Sequence, residues 1–304
     1  FIKDASKITP ILKDLLSAWV LMGLNDDVNA NRIFDKTAKV QGMGQFVNFH
    51  RAMSQLAAGK FEQALKTFNL IHSDKENPTR RSVISHTKIL LSQSKFKEAQ
   101  SLLEKWFGPT FDPEIEELFL NATNEKVYPK TSFSNINIAV ADVFHSIANL
   151  IRKEADPTFT LIYSRLAEYL DANNIDSILM TADLLVELEQ YNLAIKEHEK
   201  LSNSQPQYFA SELGRAEALR SSGKEEAAVE VLAALTRQFP NSPNGFSILG
   251  NHYRRLEAYE RAEVAYKEAI KLYQAKGEAG WFLYYVRGIT RERLNLWGLA
   301  EKDF

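Results

Sequence analysis

A period of 34 residues constrains this chain more than any other feature. Phe246 is followed at helical spacing by Leu249, Gly250 and Tyr253, and then by Tyr259, Ala262, Tyr266 and Ala269. One step back by 34 residues gives Ala216, Leu219, Ala228, Leu232 and Leu235, with Pro240 closing the segment. A second step gives Ile178, Ala182, Leu185, Tyr191, Ala194, His198, Leu201 and Pro206. A third gives Phe144, Ile147, Ala148, Ile151, Thr160, Ser164 and Ala167. After a four-residue insertion a further copy starts at Trp281 and carries Tyr284, Gly288, Trp297, Ala300 and Phe304. In each copy small residues stand where two helices cross closely and large ones fill the gaps between them. A helix pair of this size leaves an apolar face that it cannot cover alone, so neighbouring pairs must stack.

Upstream the pattern weakens. Residues 45 to 78 carry Ala52, Gly59, Phe61, Ala64, Phe68 and Ile71, and residues 80 to 113 carry Val83, Leu90, Phe96, Ala99, Leu103 and Trp106. In residues 11 to 44, Ala30 and Phe34 match a second helix. The first helix there has Asp14 and Ser17 at apolar positions, and Leu12, Leu15, Leu16 and Trp19 fit only after a shift of two residues. Between 114 and 140 the repeat breaks. Asp112 is expected to cap a short helix that opens on Pro113 and runs to about Thr123, and Ser134 to cap a long helix from about Asn135 to Lys153. The expected organisation is divergent repeats over 1–113, an irregular helix and connection over 114–140, and a well-registered array over 141–304.

The pattern resembles the tetratricopeptide repeat, a helix-turn-helix unit of that length. The resemblance implies an all-α, right-handed α-solenoid of stacked helix-turn-helix units, about eight here, and a protein- or peptide-binding scaffold. A compact globule of this length has a radius of gyration of about 19 Å, and a solenoid is expected to exceed it. The whole chain also looks like a section of larger repeat proteins of alphaproteobacteria, on the run Leu-Leu-Ser-Ala-Trp-Val at 15–20, Asp112-Pro113-Glu114, Tyr163 to Leu170, and Leu283 to Asn295. That likeness implies no activity. With Phe1 at one end and no stop signal after Trp297 to Phe304, the chain reads as an internal piece, with further repeats expected beyond Phe304.

Lys and Arg number 37 against 39 Asp and Glu. That balance removes the electrostatic case for a nucleic-acid partner. The longest apolar segment, Ile11 to Leu24, is broken by Lys13, Asp14 and Ser17, so membrane insertion is not expected. The absence of cysteine excludes disulfides, thiolate nucleophiles and Cys-ligated zinc, but leaves the compartment open.

The six histidines are scattered without paired spacing, and His198 falls at an interhelical packing position, so no metal is assigned. The phosphate-cradle and nucleophile-elbow motifs are missing. Acid clusters at Glu114, Glu116 and Glu117 and at Glu225 and Glu226 sit early in helices, where the positive end of the dipole favours them. The chain is therefore read as a non-enzyme without a cofactor.

What remains is surface. In such a stack the first helix of each pair lines the inner side, and the positions left after packing are Asp142, Asn149, Asp176, Asp183, Glu187, Glu217, Arg220, Asn251, Arg254 and Arg255. This polar wall suits a peptide partner, against the plain alternative of solvated helix faces. In the N-terminal third the leftovers are apolar, among them Trp19, Phe46, Phe49 and Met53. They read either as a hydrophobic partner groove or as ordinary core. Trp281, Phe282, Tyr285 and Trp297 make the last unit a candidate for self-association. A further alternative is a regulatory or oligomerising segment of a larger protein whose catalytic domain lies outside this piece.

Overall fold

The computed structural model describes residues 8–73, 78–108, 111–129, 136–277 and 280–304. These residues are all-α: seventeen helices and no strand are present among them. In chain order the helices pair as hairpins: α1 (Ile8–Gly23) with α2 (Asp27–Ala38), α3 (Gly44–Ala57) with α4 (Phe61–Ser73), and α5 (Arg80–Ser92) with α6 (Phe96–Phe107). After the single helix α7 (Pro113–Thr123) come α8 (Ile136–Ile151) with α9 (Pro157–Leu170), α10 (Ile175–Glu187) with α11 (Tyr191–His198), and α12 (Tyr208–Ser221) with α13 (Glu225–Gln238). The last pairs are α14 (Pro243–Arg255) with α15 (Tyr259–Ala275) and α16 (Trp281–Arg293) with α17 (Trp297–Ala300). This is the expected class, an array of stacked helical hairpins.

The 34-residue step is visible as packing. Ala148, Ala182 and Ala216 are each fully buried, and Gly250 continues the series. A Cβ on Gly250 would lie 2.7 Å from the ring of Tyr266, and one on Gly288 would lie 2.8 Å from the ring of Phe304. The small residue is what lets the second helix bring its large side chain against the first. The N-terminal hairpins obey the same step: Ala18 and Ala52 are fully buried, as are Phe34 and Phe68. The expected two-residue slip in α1 is therefore absent. Asp14 sits at the rim of the α1–α2 contact instead, where it accepts from Lys36 Nζ at 3.0 Å and Thr37 Oγ1 at 3.3 Å.

Seven of the eight hairpin turns, all but that between α8 and α9, share one device. Asn25, Gly59, Ser94, Glu189, Gly223, Glu257 and Asn295 all have positive φ. The next residue's N–H closes back on the ending helix, as in Asp26 N to Leu21 O at 2.9 Å, Lys224 N to Leu219 O at 2.9 Å and Leu296 N to Arg291 O at 2.8 Å. The left-handed residue thus satisfies carbonyls that the helix end leaves open. Asp112 caps α7 as expected, its Oδ1 accepting from Glu114 N at 3.0 Å and Ile115 N at 3.1 Å. The expected cap Ser134 lies outside the described residues.

Two compact units emerge: Phe1–Trp106 with Leu118–Leu184 (unit 1), and Phe107–Glu117 with Leu185–Phe304 (unit 2). This grouping follows contact, whereas boundaries at 113 and 140 follow repeat register. Within unit 1, α8 packs against α1. Its Ala139, Val143, Ile147 and Ile151 join Leu15, Trp19, Met22, Met43 and Val47 in one buried cluster. In unit 2 one cluster spans Phe209, Ala216, Leu232 and Leu249, and another spans Ala262, Tyr266, Leu283 and Val286.

Candidate functional site

In unit 1 the first-helix residues are largely consumed by the fold. Trp19 and Phe49 are buried, and Phe46 and Met53 are half-buried against the same apolar cluster. Trp19 and Phe49 therefore lie in the core, and Phe46 and Met53 lean on the cluster to which α8 contributes. The ring of His50 lies among Trp19, Phe46 and Phe49 at centroid distances of 6.4, 5.0 and 5.6 Å.

Arg81, near the start of α5, ties this arrangement together. It forms an ion pair with Asp142 and donates from Nη1 to Ser146 Oγ at 3.1 Å, both on α8, and its Nε lies 3.0 Å from Asp176 Oδ2 on α10. Its guanidinium also sits 5.3 Å from the centroid of the Phe49 ring. Burial pushes the Asp176 carboxyl up, but Arg81, with help from His145, Lys88 and Arg80, holds it below the usual carboxylate value. Asp142 is thus a buried structural anion rather than a solvent-facing contact residue. Further along, Asp183 is exposed and accepts from Arg152 Nη1 at 3.2 Å, and Asn149 is exposed. No local sequence signal marks Arg81, because its partners lie on helices remote in the chain.

In unit 2 the first-helix residues behave differently. Glu187, Glu217 and Arg255 are exposed, and Arg220, Asn251 and Arg254 are half-buried. Arg220 Nε donates to Glu217 Oε2 at 2.8 Å, a hydrogen bond that holds the Glu217 carboxyl below its usual value. Tyr266 Oη donates to Asn251 Oδ1 at 2.8 Å and accepts from Arg254 Nε at 3.3 Å. The buried tyrosine of the second helix therefore fixes two side chains of the first. On α16, Trp281, Phe282 and Tyr285 are 76%, 52% and 47% exposed, and Trp297 of α17 is 60% exposed. Behind them Asp303 accepts from Arg287 Nε at 2.8 Å and Arg291 Nη1 at 2.8 Å, and Arg291 also reaches Glu263, which locks this hairpin.

The histidines take no part in an open site: all six are buried. Among the described residues no group of three or more His, Asp or Glu is placed to hold a metal ion. No helix of the described residues is long and apolar enough to cross a membrane.

Stacked hairpins with small residues at the crossings and polar side chains left on the first helices define a helical-repeat protein. Residues 179–243 match the family model of the tetratricopeptide repeat, so the chain carries tetratricopeptide repeats there. No curated protein matches the sequence. Among solved structures, MamA from residue 41 to its end, from Desulfovibrio magneticus RS-1, shares 19% identity over 54% of this chain and 90% of that one, with a TM-score of 0.46. YrrB, described as a tetratricopeptide-repeat protein with an unusual peptide-binding site, shares 18% identity over 67% of this chain and 91% of that one, with a TM-score of 0.37. No partner or site is carried over from either.

Proposed function

We propose that this chain is a non-catalytic scaffold that binds a protein segment along the common face of α12, α14 and α16 in unit 2. One observation carries the reading. Glu217 and Asn251 stand at equivalent places one repeat apart, as do Arg220 and Arg254, and none of the four is used up in the apolar core. A row of polar side chains repeating at the pitch of the hairpins presents matched contacts to an extended chain. The groups that a catalytic reading would draw on are otherwise engaged, the histidines by burial and Glu217 by Arg220.

The test is a peptide array probed with the full chain and with Glu217→Lys and Asn251→Arg. Peptides retained by the parent and lost by both variants support the face as the binding surface. A capture pattern indifferent to both substitutions contradicts it.

A second reading is favoured by the exposure of Trp281 and Trp297: self-association through the last hairpin. Sedimentation of the chain and of its Trp297→Ser variant over a range of concentrations decides it. A dimer in the parent and a monomer in the variant supports this second reading, and a monomer in both removes it.

A further inference from the structure

Unit 1 shows what an arginine near the end of a first helix does in this chain. Arg152, one residue past the end of α8, donates to Asp183, which lies 31 residues further on, at the inner position of the next hairpin. In unit 2 the same offset from Arg220 leads to Asn251 and, across the four-residue insertion, from Arg254 to Ile289. Neither residue offers a carboxylate. Arg220 turns back to Glu217 on its own helix, Arg254 is left with the Tyr266 hydroxyl, and the exposed Arg255 makes no hydrogen bond among the described residues. Arg220 and Arg255 thus share the Glu217 carboxylate and Glu225 faces Arg220 and His252, which leaves Arg254 and Arg255 without a carboxylate hydrogen bond among the described residues; Glu292 and Arg293 follow at the registers of Arg254 and Arg255.

The other end of the same face is aromatic. Helices alternate in direction along the array, so α14 and α16 run parallel, and Phe282 and Tyr285 occupy the early inner positions of α16. From there to the register of Arg255 is about 12–16 Å at 1.5 Å per helical residue. Four or five residues of extended peptide cover that span.

We infer that this face takes an acidic peptide, with carboxylates paired to Arg254 and Arg255 and an apolar side chain, four or five residues away, resting on Phe282 and Tyr285. The inference rests on the reading that this face binds peptides and adds to it the sign of the charge and the anchor. Guanidinium groups bind carboxylates through paired, charge-assisted hydrogen bonds, and exposed aromatic side chains supply anchoring area. A second copy of the same face would bring arginine against arginine, which like charge opposes. A polynucleotide gains its affinity from many neutralised phosphates, and this row is too short for that.

The experiment is fluorescence anisotropy on the full chain with a labelled peptide made of three acidic residues, a Gly-Ser spacer and a phenylalanine. Comparison peptides replace the acids by lysine or the phenylalanine by serine, and a short single-stranded oligodeoxynucleotide serves as a further ligand. Binding of the acidic peptide is expected to weaken about tenfold or more in Arg255→Glu, and Phe282→Ser is expected to abolish the advantage of phenylalanine over serine. Both positions are exposed, and circular dichroism checks that the helices persist.

Three results overturn the inference: no binding of the acidic peptide, equal binding of the lysine peptide, or an affinity unmoved by Arg255→Glu. Tighter binding of the oligodeoxynucleotide overturns it as well. If Glu217→Lys and Asn251→Arg still alter the binding of neutral or basic peptides, the face keeps its role and only the acidic partner fails. If no substitution on the face alters the binding of any peptide, the reading of the face fails with it.

Discussion

His72 and His86 face each other from α4 and α5 with their Nδ1 atoms 2.8 Å apart and both rings buried. One ring must donate and the other accept, so the pair is compatible with neutral imidazoles and not with two cations. Phe68 stacks on His86 at 5.3 Å, and Trp106 lies 6.5 Å from His72, which seals the pair in an aromatic environment. Burial, aided by Lys105, lowers His72 to about 4, and burial, aided by His72 and Lys95, lowers His86 to about 3.

The first expected outcome is acid sensitivity well above the carboxylate range. Burial also lowers His50 and His145 to about 3 and His198 to about 4. About one unit or more above the ordinary imidazole value of about 6.5 these rings are neutral in both the folded and the unfolded chain, and their contribution to stability is fully present. As pH falls from there toward 4, the unfolded chain takes up protons that the folded chain refuses. Stability then drops by about 1.4 kcal/mol per pH unit for each such histidine. Urea titrations at about pH 7.5, 6.0 and 5.0 check this; a constant midpoint contradicts it.

His50 gives a sharper version. Both of its ring nitrogens are buried without a hydrogen-bond partner. Replacing an unsatisfied buried polar group by an apolar one of similar volume removes a desolvation cost of about 1–3 kcal/mol. His50→Leu is expected to raise the urea midpoint at neutral pH and to flatten its pH dependence. A destabilised variant would show that the imidazole has a partner after all.

Gly250 and Tyr266 test the crossing rule. Gly250→Ala gains about 1 kcal/mol in helix propensity but drives a methyl group into the tyrosine ring, and overpacking costs about 1–3 kcal/mol. Net destabilisation is expected. The pair Ala216 and Leu232 occupies the same register one repeat earlier. The double change Gly250→Ala with Tyr266→Leu is therefore expected to be less destabilised than the two single losses added together, and strict additivity in calorimetry would contradict the shared register.

Glu257 carries a positive φ of 57° at the end of α14. A non-glycine residue in the left-handed region costs about 1–2 kcal/mol, so Glu257→Gly is expected to stabilise the chain by a fraction of that after the entropy of glycine is deducted. An unchanged or lower melting temperature counts against the turn geometry.

Trp19→Ala separates core from groove in unit 1. With Trp19 only 4% exposed, truncation is expected to cost about 3–5 kcal/mol. A melting temperature equal to that of the parent would restore the groove reading.

The period was legible in the sequence because a close helix crossing tolerates little beyond glycine or alanine, and that steric demand returns at Ala148, Ala182, Ala216 and Gly250. The turns were less legible: only Gly59 and Gly223 among seven left-handed residues are glycines, so chemistry alone does not mark the others. Helix α8 did carry a signal. Apolar residues run round most of its circumference, from Ala139 and Ala141 to Val143, Ile147, Ala148 and Ile151, and a helix apolar on most sides is buried on most sides. That pattern accounts for the burial of Asp142, which spacing alone assigned to the inner wall. Its partner Arg81 was not legible, because the pairing depends on which helices the array brings together.

The most direct measurement uses the absence of native cysteine. An environment-sensitive dye is placed in Asn244→Cys, at an exposed position early in α14 at the register of Phe282, and in Glu230→Cys, at an exposed position on the second helix α13. Titration with the acidic, phenylalanine-bearing peptide is expected to change the emission at 244 and leave it unchanged at 230. A response confined to 230, or equal at both positions, would contradict a first-helix binding face.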